Sequence, residues 1–349
     1  MNRKKLLDVL SCASKAVKGN GELNIRVRNG QMDVSAASQN LSICATLEAD
    51  CEDIETAVKA LSAIQAVSTL PDEEIRLRPS GDGIQVAGSK CHVTLPGTEY
   101  RDMRRTAEYS SQVITRGLGP FVRQVIHSLD NTGYAPMMST IQLKVYGDGG
   151  FQITALDGKR YSIRNTVTKG SKLEGEFLVY GRELNEALKL VGDEEVAIYC
   201  PKDENFIRLK GDDVDIQISL FSGKYYNLDS LRSAKLPLRL SVNRKEMLRA
   251  LELTRLVSTD ALVDFSAERV TVCGESLSGE SAMEVPAKSR GLEDGRVVKT
   301  AFKATILKEA LESIDSDLVT IHFKDALNQF CITDGRNAIE MCLPARRKH

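Results

Sequence analysis

The sequence predicts an α+β protein made of three similar domains, each with antiparallel sheets backed by two helices. Two observations lead to this prediction. Two one-sided helical patterns each occur three times, with corresponding copies roughly 115–130 residues apart. Between them lie segments in which apolar and polar residues alternate. A repeat of this length is the size of a domain, not of a solenoid turn.

The helices are predicted from apolar residues spaced three and four positions apart. The first helices carry Leu6, Val9, Leu10 and Ala13; Val122, Val125, Ile126 and Leu129; and Met247, Ala250, Leu251 and Thr254. The second helices carry Ala57, Ala60, Leu61 and Ile64; Leu184, Ala187, Leu188 and Val191; and Leu307, Ala310, Leu311 and Ile314. Because a helix with one apolar stripe must cover another surface, each pair is expected to lie on a sheet.

The strands are predicted from period-two alternation with Gly, Asp or Asn at the turns. Such segments follow each first helix (22–49, 139–167, 261–287) and each second helix (73–96, 194–221, 317–344). The predicted domains are therefore 1–105, 110–232 and 236–349.

Composition excludes several classes of protein. The 349 residues include 47 Lys+Arg and 48 Asp+Glu and are 42% hydrophobic, which fits a globular protein and not a disordered or collagenous one. The net charge of -1 lacks the basic excess of most nucleic-acid-binding proteins. The charge is nevertheless segregated, since the first helices are strongly basic and the second helices are mixed. A solvated helix face is the alternative interpretation of that pattern.

The cysteines and the N-terminus indicate the compartment. Eight scattered cysteines form no C-x-x-C pair, and no His lies at metal-ligand spacing, so reduced thiols, no metal and no cofactor are expected. The N-terminal MNRKKLLDVLSCAS resembles a lipoprotein signal only superficially, because Asp8 interrupts a short apolar run. No stretch approaches the ~18 apolar residues of a membrane span. A cytoplasmic protein without membrane association is predicted.

No pattern predicts an enzyme. His92, His127, His322 and His349 are isolated from any nucleophile pattern, and no G-x-S-x-G, P-loop or G-x-G-x-x-G motif is present. Asp157 in DGKR and Asp334 in TDGR occur in parallel contexts, which suggests a shared turn geometry.

Several short segments, in order and at matching spacing, share a resemblance. They are LPGTEY (95–100), TALDGKRYSI (154–163), LFSGKYYN (220–227), FKATILKEALESI (302–314) and IEMCLPARRKH (339–349). Together with the threefold repeat they resemble the bacterial sliding clamps, the beta subunit of DNA polymerase III, and the chain looks like a divergent member. The resemblance implies the DNA clamp fold, in which two chains close head to tail into a ring around duplex DNA without sequence specificity. It further implies a processivity factor that binds the DNA polymerase III alpha subunit and the clamp loader.

Site residues follow from the same resemblance. The implied peptide-binding pocket comprises Leu156, Gly158, Lys159, Arg160, Tyr161, Leu231, Met341, Cys342, Leu343, Pro344 and Arg346. The DNA-facing residues are Arg3, Lys4, Lys15, Lys18, Arg123, Lys189, Arg244 and Arg249. The dimer interface is Leu256 and Val257 against Lys90 and His92 of the other chain.

Two other functions remain compatible with the sequence. One is a clamp-like scaffold that binds proteins and no longer encircles DNA. The other is a phosphoryl-handling enzyme that uses Lys159 and Arg160. The replacement of expected aromatic residues by Met137 and Met138 and the bulk of Tyr161 also predict an altered peptide preference.

Overall fold

The computed structural model describes residues 1–102, 109–169, 174–192, 195–201, 205–232, 234–277 and 279–345. Within them the helices are α1 (Arg3–Ser14), α2 (Ala60–Thr69), α3 (Leu118–Val125), α4 (Gly181–Val191), α5 (Asp229–Arg232), α6 (Arg244–Val257) and α7 (Ala304–Glu312), with 3₁₀ turns at Ile126–Ser128 and Pro136–Ser139. In this part of the chain no helix is long and apolar enough to cross a membrane.

The strands follow the same threefold order. They are β1 (Glu22–Arg28), β2 (Gln31–Ala37), β3 (Leu41–Glu48), β4 (Ile54–Lys59), β5 (Arg76–Ser80), β6 (Gly83–Ala87), β7 (His92–Leu95), β8 (Tyr109–Arg116), β9 (Thr140–Val145), β10 (Gly150–Leu156), β11 (Arg160–Val167), β12 (Gly175–Tyr180), β13 (Glu195–Pro201), β14 (Phe206–Lys210), β15 (Val214–Ser219), β16 (Leu238–Asn243), β17 (Asp260–Phe265), β18 (Arg269–Ser276), β19 (Gly279–Arg290), β20 (Val298–Lys303), β21 (Leu318–Phe323), β22 (Phe330–Thr333) and β23 (Ala338–Cys342).

The chain divides into two compact units, and the first comprises the described parts of 1–119, 168–173 and 182–222. It contains an eight-stranded sheet in the order β4-β1-β2-β3-β15-β14-β13-β8 and a three-stranded sheet in the order β5-β6-β7. The larger sheet joins two sequence repeats, because β3 of the first repeat pairs with β15 of the second.

The second unit comprises the described parts of 120–167, 174–181 and 223–349. Its twelve-stranded sheet has the order β12-β9-β10-β11-β23-β22-β21-β16-β19-β18-β17-β20, and β11 joins the second repeat to β23 of the third. Within the third repeat, the rings of Phe265, Phe323 and Phe330 pack at centroid distances of 4.9–5.4 Å. These rings belong to the buried apolar core of that repeat.

The helices begin where the sequence supplies a cap. The Asn2 side chain accepts a hydrogen bond from the Lys5 amide, and Asn243 accepts one from the Glu246 amide, so α1 and α6 start in the same way. This shared cap supports the repeat that was inferred from the apolar stripes.

Most predicted stripes are buried as expected. All four predicted residues of α6 and all four associated with α7 are buried. In α2 the predicted phase is wrong: Ala57 lies in β4, Leu61 is 48% exposed, and Ala63 and Val67 are buried in its place. The helix begins only at Ala60 because the preceding residues pair with β1, and strand pairing therefore overrides the helical periodicity there.

The α+β class with antiparallel sheets backed by helices is confirmed, since the described strand pairs are antiparallel throughout both units. The domain boundaries stay a prediction. They fall near residues 105–110 and 232–236, where 103–108 and 233 lie outside the described residues.

Candidate functional site

The two segments predicted to form the peptide pocket lie on neighbouring strands of the second unit. β11 and β23 pair with Arg160 opposite Cys342 and Tyr161 opposite Met341. The pairing continues past the strand ends, where the Leu343 amide donates to the Lys159 carbonyl at 2.9 Å. Tertiary structure therefore brings together the DGKR turn and the terminal hydrophobic segment.

The DGKR sequence forms a tight turn held by its aspartate. Asp157 Oδ1 accepts hydrogen bonds from the amides of Lys159 and Arg160 at 2.9 and 3.0 Å. Gly158 has φ +83°, a conformation that favours glycine. Asp334 accepts from the Arg336 amide at 2.9 Å in the same way, which confirms the predicted shared turn geometry.

One face of the β11–β23 pair, here called the outer face, carries the apolar side chains of the predicted pocket. Leu156, Tyr161 and Met341 lie on this face and are at most 5% exposed, while Leu343 at its end is 41% exposed. Burial raises the pKa of the Tyr161 hydroxyl, so the phenol stays neutral. These four residues, called the candidate groove below, comprise three buried apolar side chains, its floor, and the exposed Leu343, its lip.

The connector that contains α5 lies against this region. The Leu231 carbonyl accepts a hydrogen bond from Gln329 Nε2 at 2.6 Å. Gly158 and Lys159 are exposed in the turn, and Pro344 is half-buried beside Leu343. Arg346, the last predicted pocket residue, lies outside the described residues.

Two predicted pocket residues belong to the opposite, inner face of the strand pair. Cys342 is fully buried in the core of the third repeat, and burial raises the pKa of its thiol. Arg160 is 8% exposed and forms ion pairs with Asp157 and Glu309. Because strand neighbours alternate between faces, neither side chain can line the outer face. The expectation is corrected for both, and the paired state of Arg160 also weighs against a phosphoryl-binding role.

The predicted DNA-facing residues fall into two groups. One group is solvent-exposed and consists of Lys4, Lys15, Lys18, Arg123, Lys189 and Arg249. The other group is Arg3 and Arg244, whose guanidinium groups bind helix ends instead. Arg3 Nη1 donates to the Ser68 carbonyl in α2, and Arg244 Nε donates to the Ser316 carbonyl after α7. These two arginines stabilise the end of the second helix in their repeats.

Lys189 lies in a cleft of about 700 Å³ in the first unit. The cleft is lined by part of α1, the C-terminal half of β3, the end of α4 and the β14–β15 turn. The charged residues that line the cleft besides Lys189 are Lys5, Asp8, Glu48, Asp212 and Asp213. The Lys189 ammonium lies 2.5 Å from Glu186 Oε1, three residues earlier in α4, and this ion pair lowers its electrostatic attraction for a phosphate.

The predicted dimer-interface residues lie beside exposed strand edges. Lys90 and His92 are exposed at the start of β7, which is the last strand of the three-stranded sheet. Leu256 is 80% exposed at the end of α6. Val257, the last residue of α6, is half-buried.

Comparisons with known proteins agree with this architecture. The chain is 22% identical over 327 residues to the beta sliding clamp of Halalkalibacterium halodurans, covering 86% of this chain and 84% of that one. It is 23% identical over 356 residues to the beta sliding clamp of Rickettsia felis, covering 92% of each. The chain is a divergent relative of the bacterial beta sliding clamps.

Solved clamp structures share the fold of this clamp relative. A putative DNA polymerase III beta subunit from Eubacterium rectale superposes with a TM-score of 0.90 at 19% identity, covering 99% of this chain and 97% of that one. The DNA polymerase sliding clamp from Bacillus subtilis gives a TM-score of 0.90 at 17% identity, covering 100% and 98%. No family model matches the sequence.

Sequence reasoning missed a buried ionic cluster on the inner face of this clamp relative. Arg164 and Glu340 are both fully buried, with Arg164 Nη2 2.7 Å from Glu340 Oε1. The alternation gave no signal for it, because Arg164 shares its strand face with Arg160 and Ser162, a polar pattern that predicts a solvent-exposed face.

All eight cysteines lie within the described residues, and there their thiols are free and form no disulfide. Across the described residues, no group of three or more His, Cys, Asp or Glu side chains could hold a metal ion.

Proposed function

We propose that two copies of this chain close head to tail into a ring around duplex DNA and act as a sliding clamp in DNA replication. The clamp tethers the replicative polymerase and works in the cytoplasm without a catalytic residue or cofactor. Its partners are duplex DNA, the DNA polymerase III alpha subunit, the clamp loader and a second copy of itself. The names of the relatives, beta sliding clamp and DNA polymerase III beta subunit, support this function.

One observation about strand pairing carries the ring proposal. In each repeat, the third strand after the first helix is β3, β11 or β19, and the last strand is β7, β15 or β23. β15 pairs with β3 of the preceding repeat, and β23 pairs with β11 of the preceding repeat. Among the three repeats of the described residues, β7 and β19 are the two strands of this kind that do not pair with each other or with another repeat. A second copy supplies both missing partners.

Within the described residues, β7 and part of β19 each have one edge that pairs with no other strand. β7 pairs only with β6, and the Gly279–Pro286 part of β19 pairs only with β18. Open strand edges favour pairing with another chain. Since a head-to-tail contact repeats until the ring closes, two three-repeat chains would give six similar junctions.

The side chains at these edges are complementary. Lys90 and His92 lie by β7, and the exposed Glu280 and Glu284 lie on β19. Leu256 and the fully exposed Leu277 of the β18–β19 hairpin present apolar surface beside β19. A second copy that pairs its β7 with β19 would cover these leucines and place opposite charges near each other.

The exposed cations of α1, α3 and α6 would contact DNA through phosphates. Phosphate contacts attract the duplex without reading its sequence, which is the property that a sliding ring needs. The outer-face groove of Leu156, Tyr161, Met341 and Leu343 would receive a short apolar segment of a partner, whose side chains would bury Leu343.

The decisive experiment measures retention of the purified protein on circular and linear DNA. The clamp loader places the protein on nicked circular DNA, and gel filtration then separates bound from free protein. We expect retention on the circle and loss after a restriction enzyme cuts it, because a ring slides off a free end. Light scattering at micromolar concentration is expected to give the mass of a dimer.

A matched pair of variants locates the interface. Leu256→Asp is expected to give monomers and to abolish retention, because the charge would be desolvated in the interface. Leu327→Asp changes a leucine that is 88% exposed in the β21–β22 turn, and it is expected to leave both measurements unchanged. Equal retention of the wild type on circular and linear DNA would instead favour the scaffold that does not encircle DNA.

A further inference from the structure

The ionic cluster behind the candidate groove is larger than one ion pair. Arg164 Nη2 also donates to the Ser313 carbonyl at 2.8 Å, and Ser313 Oγ donates to Glu340 Oε1 at 2.9 Å. Arg164 Nε donates to Gln124 Oε1 at 2.9 Å. The cluster therefore connects the end of α3 and the end of α7 to the β11–β23 strand pair.

Glu340 has partners on its second oxygen as well. Its Oε2 accepts a hydrogen bond from Ser162 and lies 3.3 Å from His127 Nε2. Both carboxylate oxygens are thus occupied by groups from α7, β11 and the 3₁₀ turn after α3. A carboxylate held from several sides fixes the position of its own strand.

The corresponding strand pair of the first unit has the opposite chemistry. In the β3–β15 junction, Ile43 lies opposite Ile216 and Leu41 lies opposite Ile218. At the corresponding positions of the β11–β23 junction, Ser162 lies opposite Glu340 and Arg160 lies opposite Cys342. These four residues of β3 and β15 are at most 5% exposed. The inner face is therefore apolar at the first junction and ionic at the second.

The outer faces are inverted too. At the first junction the outer face carries Ser42 and Gln217, whereas at the second it carries Tyr161 opposite Met341. A shift of β23 by one residue against β11 would move Glu340 to the outer face and Met341 to the inner one. Such a shift would destroy the apolar floor of the groove.

We propose that the buried Arg164–Glu340 pair is a positioning pair that fixes the register of β11 against β23 and so keeps the peptide groove assembled. This inference rests on the proposed peptide-binding function of the outer face. The net stability gained from a buried ion pair is small, because desolvation of both charges offsets their attraction. Its directional hydrogen bonds discriminate between registers, which an apolar contact does far less strongly.

The test separates register from stability. The double variant R164M/E340L replaces both charges by apolar side chains of similar size, so the midpoint of thermal unfolding is expected to stay the same or rise. The probe is a fluorescent peptide from the clamp-binding segment of the DNA polymerase III alpha subunit. We expect the double variant to bind it at least tenfold more weakly in a polarisation assay. Unchanged affinity would overturn the proposal.

A disulfide across the same strands provides the rescue. The Asn165 amide donates to the Asn337 carbonyl at 3.0 Å in the continuation of the β11–β23 ladder. N165C/N337C would place two cysteines at a spacing of about 5.5 Å between Cα atoms, which a disulfide can bridge. The oxidised disulfide is expected to restore peptide binding to R164M/E340L and to have no effect in the wild-type background. If the oxidised protein does not regain peptide binding, the Arg164–Glu340 pair does not act through the register of the two strands.

A second double variant and the wild type itself distinguish a folding defect from a loss of register. If R164M/E340L does not fold, R164Q/E340L is used instead: the glutamine at position 164 can still donate to the Ser313 carbonyl, while the hydrogen bonds of Glu340 to β11 are lost. Weakened binding that the disulfide restores would support the proposal, and unchanged binding would overturn it. If the wild type itself binds no peptide while it is retained on circular DNA, the groove function and this inference fall together and the ring proposal stands.

Discussion

The β3–β15 and β11–β23 junctions show how one backbone arrangement can carry opposite chemistry. Both join the third strand of one repeat to the last strand of the next, in the same antiparallel register. The first is apolar inside and polar outside, and the second is ionic inside and apolar outside. The difference teaches that the same pairing of strands can place its polar groups on either face, and the proposed register role of Arg164 and Glu340 belongs to the junction whose outer face is apolar.

The largest expected effect is the loss of one charge from the second junction. Arg164→Met is expected to lower the free energy of unfolding by about 3–5 kcal/mol, because it leaves the fully buried Glu340 without its cation. Urea unfolding followed by circular dichroism measures it. Arg208→Met is the matched control, since Arg208 and Asp215 form an ion pair with both side chains 25% exposed. If Arg208→Met lowered the free energy of unfolding by more than about 1 kcal/mol, the two ion pairs would not differ as expected.

The next effect concerns the lip of the groove. Leu343→Asp is expected to weaken polymerase-peptide binding at least tenfold, because a charge replaces the exposed apolar contact. Stability, dimer mass and DNA retention are expected to stay unchanged, since Leu343 is 41% exposed. Ser219→Asp alters the corresponding end of β15 in the first junction and serves as the control. Equal loss of peptide binding in both variants would mean that the outer faces do not differ in function.

A smaller effect is expected inside the first junction. Ile216→Val removes one buried methyl group and is expected to cost about 0.5–1.5 kcal/mol in the free energy of unfolding. Peptide binding is expected to be unchanged, because Ile216 makes only apolar contacts and does not affect the register of β11 against β23. Urea unfolding measures the free energy of unfolding, and fluorescence polarisation measures peptide binding. A loss of peptide binding would show that the first junction also affects the groove.

The smallest effect tests whether the outer face of the first junction is closed. Burial, with Asp33 and Asp215 nearby, raises the pKa of Cys44 to about 12. The thiolate is the form that iodoacetamide alkylates, so native Cys44 is expected to remain unmodified at pH 8 while the exposed Cys91 reacts. Peptide mapping by mass spectrometry measures the two sites. Alkylation of Cys44 as fast as Cys91 would show that this face is open.

Much of the fold was predictable because its causes are local. The stripe of Met247, Ala250, Leu251 and Thr254 is buried as its spacing predicts. The turn at Asp157 forms because a side-chain carboxylate binds amides two and three residues later. The groove residues required the family resemblance, and even that placed Cys342 on the wrong face of the strand pair.

The sequence by itself determined which segments become helices, strands and turns, since periodicity, caps and turn chemistry act over a few residues. Tertiary structure alone decided which strands meet. Arg164 and Glu340 pair only because β11 and β23 become neighbours, and nothing local to either strand specifies the other. Pairing between distant strands depends on the packing of both faces at once, and so the positioning of the groove is a property of the assembled sheet.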